Sequence, residues 1–182
     1  MTPGAPRRAS FATEAEMAAP VRAFLGPRGY RVYANPDGAD YFDLIARRGP
    51  ELGLVELKRT LGPPTFVQAL RRRRWGDWIA VGIGSRRVAE RLVERRVGRL
   101  TGAVGVWHVR PDGVDVLREA VAPPLPRAPT AERALLTRYL DAIDSGELPP
   151  GVAWDGWPAS LRRLSAHRGY REWTIEEAAP PE

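Results

Sequence analysis

The sequence contains no cysteine, which excludes disulfide bonds, thiolate zinc sites and cysteine nucleophiles. It has only two histidines, His108 and His167, which are too few for a histidine-rich zinc site. No apolar run approaches the roughly 18–20 residues that a membrane-spanning helix needs. The N-terminal MTPGAPRRAS also lacks the apolar segment of a secretory signal. We therefore expect a cytoplasmic protein with no membrane partner.

Lysine is also scarce. Lys58 is the single lysine of the chain, although lysine and arginine together number 28 against 22 acidic residues. The net charge is +6, and arginine supplies nearly all of the positive charge. Because arginine makes bidentate contacts with phosphate, this composition suits a polyanionic partner such as DNA. A GC-rich genome would also favour arginine over lysine, but that does not explain why one lysine remains at position 58.

The length of 182 residues suits one well-buried core with a small appendage. We expect four parts along the chain, and the proline-rich segment is the best candidate for a domain boundary. They are a loose tail over 1–10, the main domain over 11–120, a proline-rich linker over 121–129 and a helical C-terminal extension over 130–182.

Apolar periodicity and turn residues predict the elements of the main domain. A capping box of Thr13 and Glu16 begins a helix that stops at 26–27. Strands are predicted over 30–34, 41–47, 52–58 and 78–83, with a helix over 65–74, a helix after Ser85, and a hairpin joining 104–109 to 114–117. Helices over 130–143 and 159–167 follow. This order predicts an α/β fold with a central mixed sheet flanked by helices.

Charged residues interrupt two of the apolar strands. Glu56 and Lys58 are two residues apart at the end of the third strand, so their side chains share one face. Asp43 lies among apolar residues of the preceding strand. If these strands pair through the Gly49-Pro50 turn, Asp43 and Glu56 approach each other. Two close carboxylates repel, and a divalent cation commonly resolves the repulsion.

This chemistry predicts a Mg²⁺ or Mn²⁺ site. Asp43, Glu56 and the main-chain carbonyl of Leu57 would supply the oxygen ligands that such a cation prefers. A scissile phosphate oxygen would complete the site. The bound metal lowers the pKa of a water ligand, and Lys58 would orient that water or help to deprotonate it. A Glu-x-Lys sequence on a strand is, by itself, more often a surface ion pair.

Asp43 followed after a turn by Glu56-Leu57-Lys58 resembles the bipartite motif of the PD-(D/E)XK nuclease superfamily. The predicted helix-strand-strand-strand-helix-strand order is similar to the common core of that superfamily, which has the restriction-endonuclease-like fold. The likeness spans roughly residues 12–118. Phe42 stands where the motif name has proline, and many members also lack it. The resemblance implies metal-dependent hydrolysis of DNA phosphodiesters.

The resemblance also implies two assisting residues. Glu14 matches a glutamate that often joins the site from the first helix, and Gln68 matches a glutamine of resolvase-like and exonuclease-like members. A solvated first-turn carboxylate explains Glu14 nearly as well, and an exposed helix position explains Gln68 equally well. Glu16 is a weaker candidate because capping already explains it.

Arginines near this motif are candidates for DNA-backbone contacts. Arg71, Arg72 and Arg74 belong to a run of four arginines after Gln68, and Arg59 follows Lys58 directly. Four consecutive arginines point all round a helix, so we expect only one or two of them to face DNA next to the metal site. A homodimer would suit a single domain that cuts both strands of a duplex.

Two other functions also fit the sequence. The chain could bind nucleic acid without turnover, or it could be a structural partner in a larger complex whose acidic component faces the basic surface. Intact Asp43, Glu56 and Lys58 argue against the first of these, because a decayed site has no reason to keep charges in a buried strand.

Overall fold

A computed structural model describes residues 11–34, 42–59, 74–94, 104–121, 130–148 and 171–172. The strands are β1 (Arg31–Ala34), β2 (Leu44–Arg48), β3 (Glu51–Lys58), β4 (Trp78–Ile83), β5 (Val104–Arg110), β6 (Gly113–Arg118) and β7 (Arg171–Glu172). The helices are α1 (Ala18–Leu25), α2 (Arg86–Glu94) and α3 (Ala131–Asp144), and short 3-10 helices span Ala15–Met17 and Gly26–Arg28.

In the described part of the chain the strands form one mixed sheet in the order β6-β5-β4-β3-β2-β1-β7. Strands β1, β2 and β3 are antiparallel neighbours, whereas β3, β4 and β5 run parallel. The β5–β6 hairpin turns at Pro111 and Asp112 and adds an antiparallel edge. The predicted α/β fold with a mixed sheet flanked by helices is confirmed.

Strand β3 lies at the centre of the sheet because apolar side chains cover both of its faces. Residues 52–57 are all buried, as expected for a strand covered on each side. Gly53 allows the Trp78 side chain of β4 to cross β3, since a Cβ at Gly53 would lie 1.9 Å from Cζ2 of Trp78. The position of β3 in the sheet constrains where Glu56 and Lys58 lie, because both residues pair with β4.

The sheet separates two apolar cores. One core lies under α1 and includes Met17, Val21, Leu25, Leu44, Val55, Leu57, Trp78 and Trp107. The other core lies under α2 and α3 and includes Ile45, Leu52, Leu54, Val81, Ala89, Leu136, Tyr139 and Leu140. Alternation along β3 therefore directs its even-numbered residues, including Glu56 and Lys58, to the face that α2 and α3 cover.

The start of the first helix differs from its prediction. The chain first makes the 3-10 helix Ala15–Met17, and α1 begins only at Ala18. The Thr13 hydroxyl accepts a hydrogen bond from the Glu16 N–H at 3.3 Å, as the capping box requires. The Glu16 carboxylate accepts instead from the Ala12 N–H, one residue earlier than expected. Thr13 therefore caps the helix entry, but the reciprocal half of the box is displaced.

Helix α3 corrects the expectation of a separate C-terminal extension. It begins at Thr130, whose hydroxyl accepts from the Arg133 N–H at 3.2 Å, and its length confirms the predicted helix. However, its apolar residues, such as Leu136 and Leu140, enter the core formed by Ile45 and Leu52 of the sheet. Residues 130–148 therefore belong to the main fold, because their apolar stripe completes one of its cores. Strand β7 likewise joins the sheet beside β1.

Several predictions fall outside the described residues. They concern the tail over 1–10, all but the last residue of the helix predicted over 65–74, all but the first residue of the linker predicted over 121–129, and the helix over 159–167. None of the described helices is long and apolar enough to cross a membrane.

Candidate functional site

The register of the β2–β3 hairpin brings two of the predicted site residues together. Leu44 pairs with Val55, so Asp43, one residue before β2, comes opposite Glu56. The Asp43 carboxylate accepts a hydrogen bond from the Leu57 N–H at 2.6 Å. This bond anchors the carboxylate to the backbone of β3 at the point where the backbone ladder with β2 ends. The predicted approach of Asp43 to Glu56 through the Gly49-Pro50 turn is therefore consistent with this register.

The Lys58 ammonium lies within 4 Å of three carboxylates. Its Nζ is 3.0 Å from Oε2 of Glu14, 3.6 Å from Oε1 of Glu56 and 3.8 Å from Oδ2 of Asp43. We call these four residues the Lys58 cluster. The single lysine of the chain thus lies among three of the predicted site residues, which come from three different segments.

Glu14 reaches the cluster because the segment 11–17 folds across the C-terminal end of β3. The Glu14 carboxylate also accepts from the Arg59 N–H at 3.2 Å, and the Arg59 guanidinium donates to the Ala12 carbonyl. A Cβ at Gly84, just after β4, would contact side chains of Phe11 and Met17. Close packing against the strand ends therefore holds Glu14 in place.

The three carboxylates of the cluster differ in their exposure to solvent. The Glu56 side chain is 6% exposed, Asp43 17% and Glu14 40%. Burial lowers the pKa of the Lys58 ammonium, but the carboxylates of Asp43, Glu14 and Glu56 more than offset this and raise that pKa above its ordinary value. Lys58 is therefore a firmly charged cation at neutral pH, which suits orienting a water or stabilising negative charge.

The donor set of the cluster consists of oxygen atoms. Among the described residues, no group of three or more histidine, aspartate or glutamate side chains is arranged to hold a metal ion. The predicted site does not need such a group, because it uses two carboxylates and a main-chain carbonyl. The Lys58 carbonyl accepts from the Gly84 N–H on the β4 side, so the Leu57 backbone faces the other side, toward Asp43. Hard oxygen donors of this kind fit Mg²⁺ or Mn²⁺.

The predicted DNA-contacting arginines divide into three groups. Arg59 adjoins the cluster through its backbone bond to Glu14. Arg74 lies at the other end of the sheet, where its carbonyl accepts from the Thr130 hydroxyl and Asp77 bonds to Leu52. Leu52 and Lys58 are six residues apart on β3, or roughly 20 Å. Arg74 therefore lies far from the cluster, contrary to the expectation that it lies next to the metal site. Arg71, Arg72 and Gln68 lie outside the described residues.

Sequence reasoning missed a second polar group, at the N-terminal end of β3. The Glu51 carboxylate accepts from the Tyr30 hydroxyl at 2.8 Å, the Trp78 indole at 2.9 Å and the Arg48 guanidinium at 2.7 Å. Tyr30 lies in a loop, Trp78 in β4 and Arg48 at the end of β2, so only the Arg48–Glu51 pair could be expected from its spacing in the sequence. Nearby, Arg133 of α3 makes two hydrogen bonds to Asp77.

Comparisons with known proteins add little to this geometry. No model of a known protein family matches the chain, and no curated protein matches it either. One solved structure is similar, the SPO1766 protein of unknown function from Silicibacter pomeroyi. It shares 16% sequence identity, with a TM-score of 0.47, over 76% of this chain and 96% of that chain. A likeness this distant carries no argument about function.

Proposed function

We propose that this protein is a metal-dependent deoxyribonuclease with a restriction-endonuclease-like fold. The observation that carries the proposal is the Lys58 cluster, in which Asp43, Glu56 and Lys58 converge at the end of one hairpin. These are the three positions that match the PD-(D/E)XK motif. The antiparallel β1, β2 and β3, followed by a parallel β4, agree with the strand order expected of that superfamily.

Asp43 and Glu56 would bind the metal together with the Leu57 carbonyl. The bond from the Leu57 N–H fixes one oxygen of Asp43, and burial fixes the Glu56 side chain. Both carboxylates are therefore held in place before any ligand arrives, which reduces the entropy cost of binding. When bound, Mg²⁺ or Mn²⁺ would lower the pKa of a water ligand and offset charge on the phosphate.

Lys58 would orient the attacking water and stabilise the negative charge that develops on the scissile phosphate. Its raised pKa keeps it protonated at neutral pH, so in this state it serves as a cation rather than as a base. Glu14 would position Lys58 from outside, through the 3.0 Å contact between Oε2 and Nζ. Arg59 would contact the DNA backbone beside the cluster.

The test is cleavage of plasmid, linear, single-stranded and branched DNA with Mg²⁺ or Mn²⁺. Wild type is compared with Lys58→Ala and Asp43→Ala, and Asp112→Ala is the matched control because it removes an exposed carboxylate from the β5–β6 turn. We expect metal-dependent cutting by wild type and by the control. Each cluster variant should cut at least about 100-fold more slowly, the usual cost of losing a group that stabilises the transition state.

The outcomes separate the candidate functions. Cutting that both cluster variants lose, with circular dichroism unchanged, establishes the nuclease, and the panel identifies its substrate. DNA binding without cutting in any lane, under either metal, rejects the nuclease and leaves a binding protein. Equal cutting by Lys58→Ala and wild type would show that the activity does not come from this cluster.

A further inference from the structure

Helix α2 covers the same face of the sheet that carries the charged end of β3. Ala89 of α2 is buried in the core that contains Leu52 and Leu54, and Val88 and Leu92 pack against that core. Side chains two residues apart on a strand share a face, so Glu56 and Lys58 lie on the face of Leu52 and Leu54. The helix and the Lys58 cluster are therefore neighbours on one side of the sheet.

The beginning of α2 is close to the cluster. The Gly84 N–H donates to the Lys58 carbonyl at 3.0 Å, and α2 starts two residues later at Arg86. Strands β3 and β4 end side by side, because Ile83 pairs with Lys58. The helix therefore leads away from the cluster over β4 and β5, and its first turn is the part nearest to Lys58.

The outer face of α2 presents two arginines. Arg87 and Arg91 are exposed, lie one turn apart and point away from the buried Ala89. Neither forms an ion pair with another described residue, whereas Arg86 is held by Glu90 at 2.7 Å. The segment 86–99 as a whole carries six arginines against two glutamates. A solvated helix face would also expose arginines, but it would not require them beside a candidate phosphate-cleaving site.

We propose that Arg87 and Arg91 bind phosphates of the DNA strand that continues from the Lys58 cluster. This inference rests on the proposed function, because the cluster supplies the scissile phosphate from which the strand extends. Four residues of helix rise about 6 Å, and one strand of B-DNA advances about 3.4 Å per nucleotide. Because a strand also turns around the duplex axis, adjacent phosphates lie further apart than this axial rise, so the two side chains are spaced to reach adjacent phosphates of one strand.

The test is binding to fluorescein-labelled duplex and single-stranded DNA without added metal, measured by anisotropy over a series of salt concentrations. The full-length double variant Arg87→Gln/Arg91→Gln is compared with wild type. The matched control is Arg28→Gln/Arg138→Gln, which also removes two exposed arginines, one in the 3-10 helix before β1 and one on α3. We expect the α2 variant to bind DNA about tenfold more weakly than wild type. The slope of log K against log salt concentration should fall in magnitude by up to about 1.8. The control variant should keep the affinity and the slope of wild type.

The results distinguish this inference from the proposed function. Equal affinity and equal salt slope for the α2 variant and wild type would overturn the inference, even if wild type cuts DNA. In another outcome, wild type binds DNA without cutting it while the α2 variant shows the expected loss of slope. That result supports the contact of Arg87 and Arg91 with phosphates and rejects the nuclease. A wild type that neither binds nor cuts DNA rejects both. An equal loss in the matched control would also overturn the inference, because it would show a general charge effect.

Discussion

The two ends of β3 carry inverse arrangements of charge. At the N-terminal end, the single carboxylate of Glu51 accepts hydrogen bonds from three donors, which belong to Tyr30, Trp78 and Arg48. At the C-terminal end, the single ammonium of Lys58 faces three carboxylates, two of which come from Asp43 and Glu56. Both groups join segments that are distant in the sequence, and both are partly buried.

The difference separates a structural role from a candidate functional one. A carboxylate that satisfies several donors ties strands and loops together and needs no further ligand. Carboxylates crowded around one ammonium repel one another, so they gain from an added cation. We therefore propose binding and chemistry for the Lys58 cluster, in addition to its ion pairs, and a purely structural role for Glu51. Variants at both ends of β3 test this distinction.

Replacing the ammonium should have the largest effect on stability. In Lys58→Met the carboxylates of Glu14, Asp43 and Glu56 lose their shared cation, and we expect the free energy of unfolding at neutral pH to fall by about 2 to 3 kcal/mol. Added Mg²⁺ should recover more stability in the variant than in wild type, because a bound cation stabilises the folded state. Urea unfolding with and without Mg²⁺ measures both effects.

The further change Glu14→Gln in the Lys58→Met background removes one of the repelling carboxylates. We expect it to recover part of the lost stability, and the double-mutant cycle gives the coupling between the two residues. A Lys58→Met protein as stable as wild type, with no response to Mg²⁺, would contradict the cation-binding role of the cluster.

Glu51→Ala should affect stability but not cleavage. The variant leaves the Tyr30 hydroxyl and the Trp78 indole without their acceptor, and we expect a loss of about 1 to 2 kcal/mol in the free energy of unfolding. Since Glu51 lies at the opposite end of β3 from Lys58, the cleavage rate of the folded variant should equal that of wild type. Unfolding curves and the plasmid cleavage assay test the two parts. Loss of cleavage in a folded Glu51→Ala protein would remove the distinction between the two ends.

Thr130→Ala tests whether α3 belongs to the same cooperative unit as the sheet. The variant removes the acceptor of the Arg133 N–H at the start of α3, and loss of a helix cap costs about 1 kcal/mol. Because α3 completes a core with Ile45 and Leu52, we expect one unfolding transition at a lower urea midpoint. Far-ultraviolet circular dichroism and tryptophan fluorescence should follow the same curve. Two separate transitions would indicate that α3 unfolds independently.

Alkaline pH should produce a smaller and more gradual change. Burial and the hydrogen bond to Asp144 raise the pKa of Tyr33, and the pKa of Lys58 is also raised. Each group holds its proton more tightly in the folded state, so its contribution is complete below its unfolded pKa and is lost as the pH rises through the folded pKa. We expect stability to decline above about pH 10 by at most about 1.4 kcal/mol per pH unit for each group.

The variant Tyr33→Phe removes one of the two contributions to this alkaline decline, and Lys58→Met removes the other. The slope of unfolding free energy against pH should therefore be shallower in each variant than in wild type. An unchanged slope in Tyr33→Phe would show that Tyr33 titrates alike in the folded and unfolded states.

Much of the sheet could be predicted because its signals are local. Strands β3 and β4 are nearly continuous apolar runs, and the turns at 49–50 and 111–112 contain glycine or proline. The β2–β3 hairpin then brought Asp43 opposite Glu56 by register alone. The position of Glu14 beside Lys58 was expected only from the family resemblance, since nothing in its own spacing points to β3.

The features that were missed depend on contacts between distant segments. The apolar stripe of α3 indicates that this helix packs against something, but not that its partner is the face made by Ile45 and Leu52. The placement of Arg74 far from Lys58 depends on the parallel pairing of β3 with β4. Because of this pairing, the start of β4 lies beside the start of β3, at the opposite end from Lys58. Two of the donors to Glu51, Tyr30 and Trp78, likewise come from distant segments.

The strands, the β2–β3 hairpin and the opposition of Asp43 and Glu56 follow from local sequence patterns, because apolar periodicity and turn residues act over a few positions. In contrast, long-range packing places α3 over a core, α2 beside the Lys58 cluster and three carboxylates around one ammonium. These outcomes depend on which buried surfaces pack against each other, and that choice is made by the shape and burial of the whole sheet rather than by any local pattern.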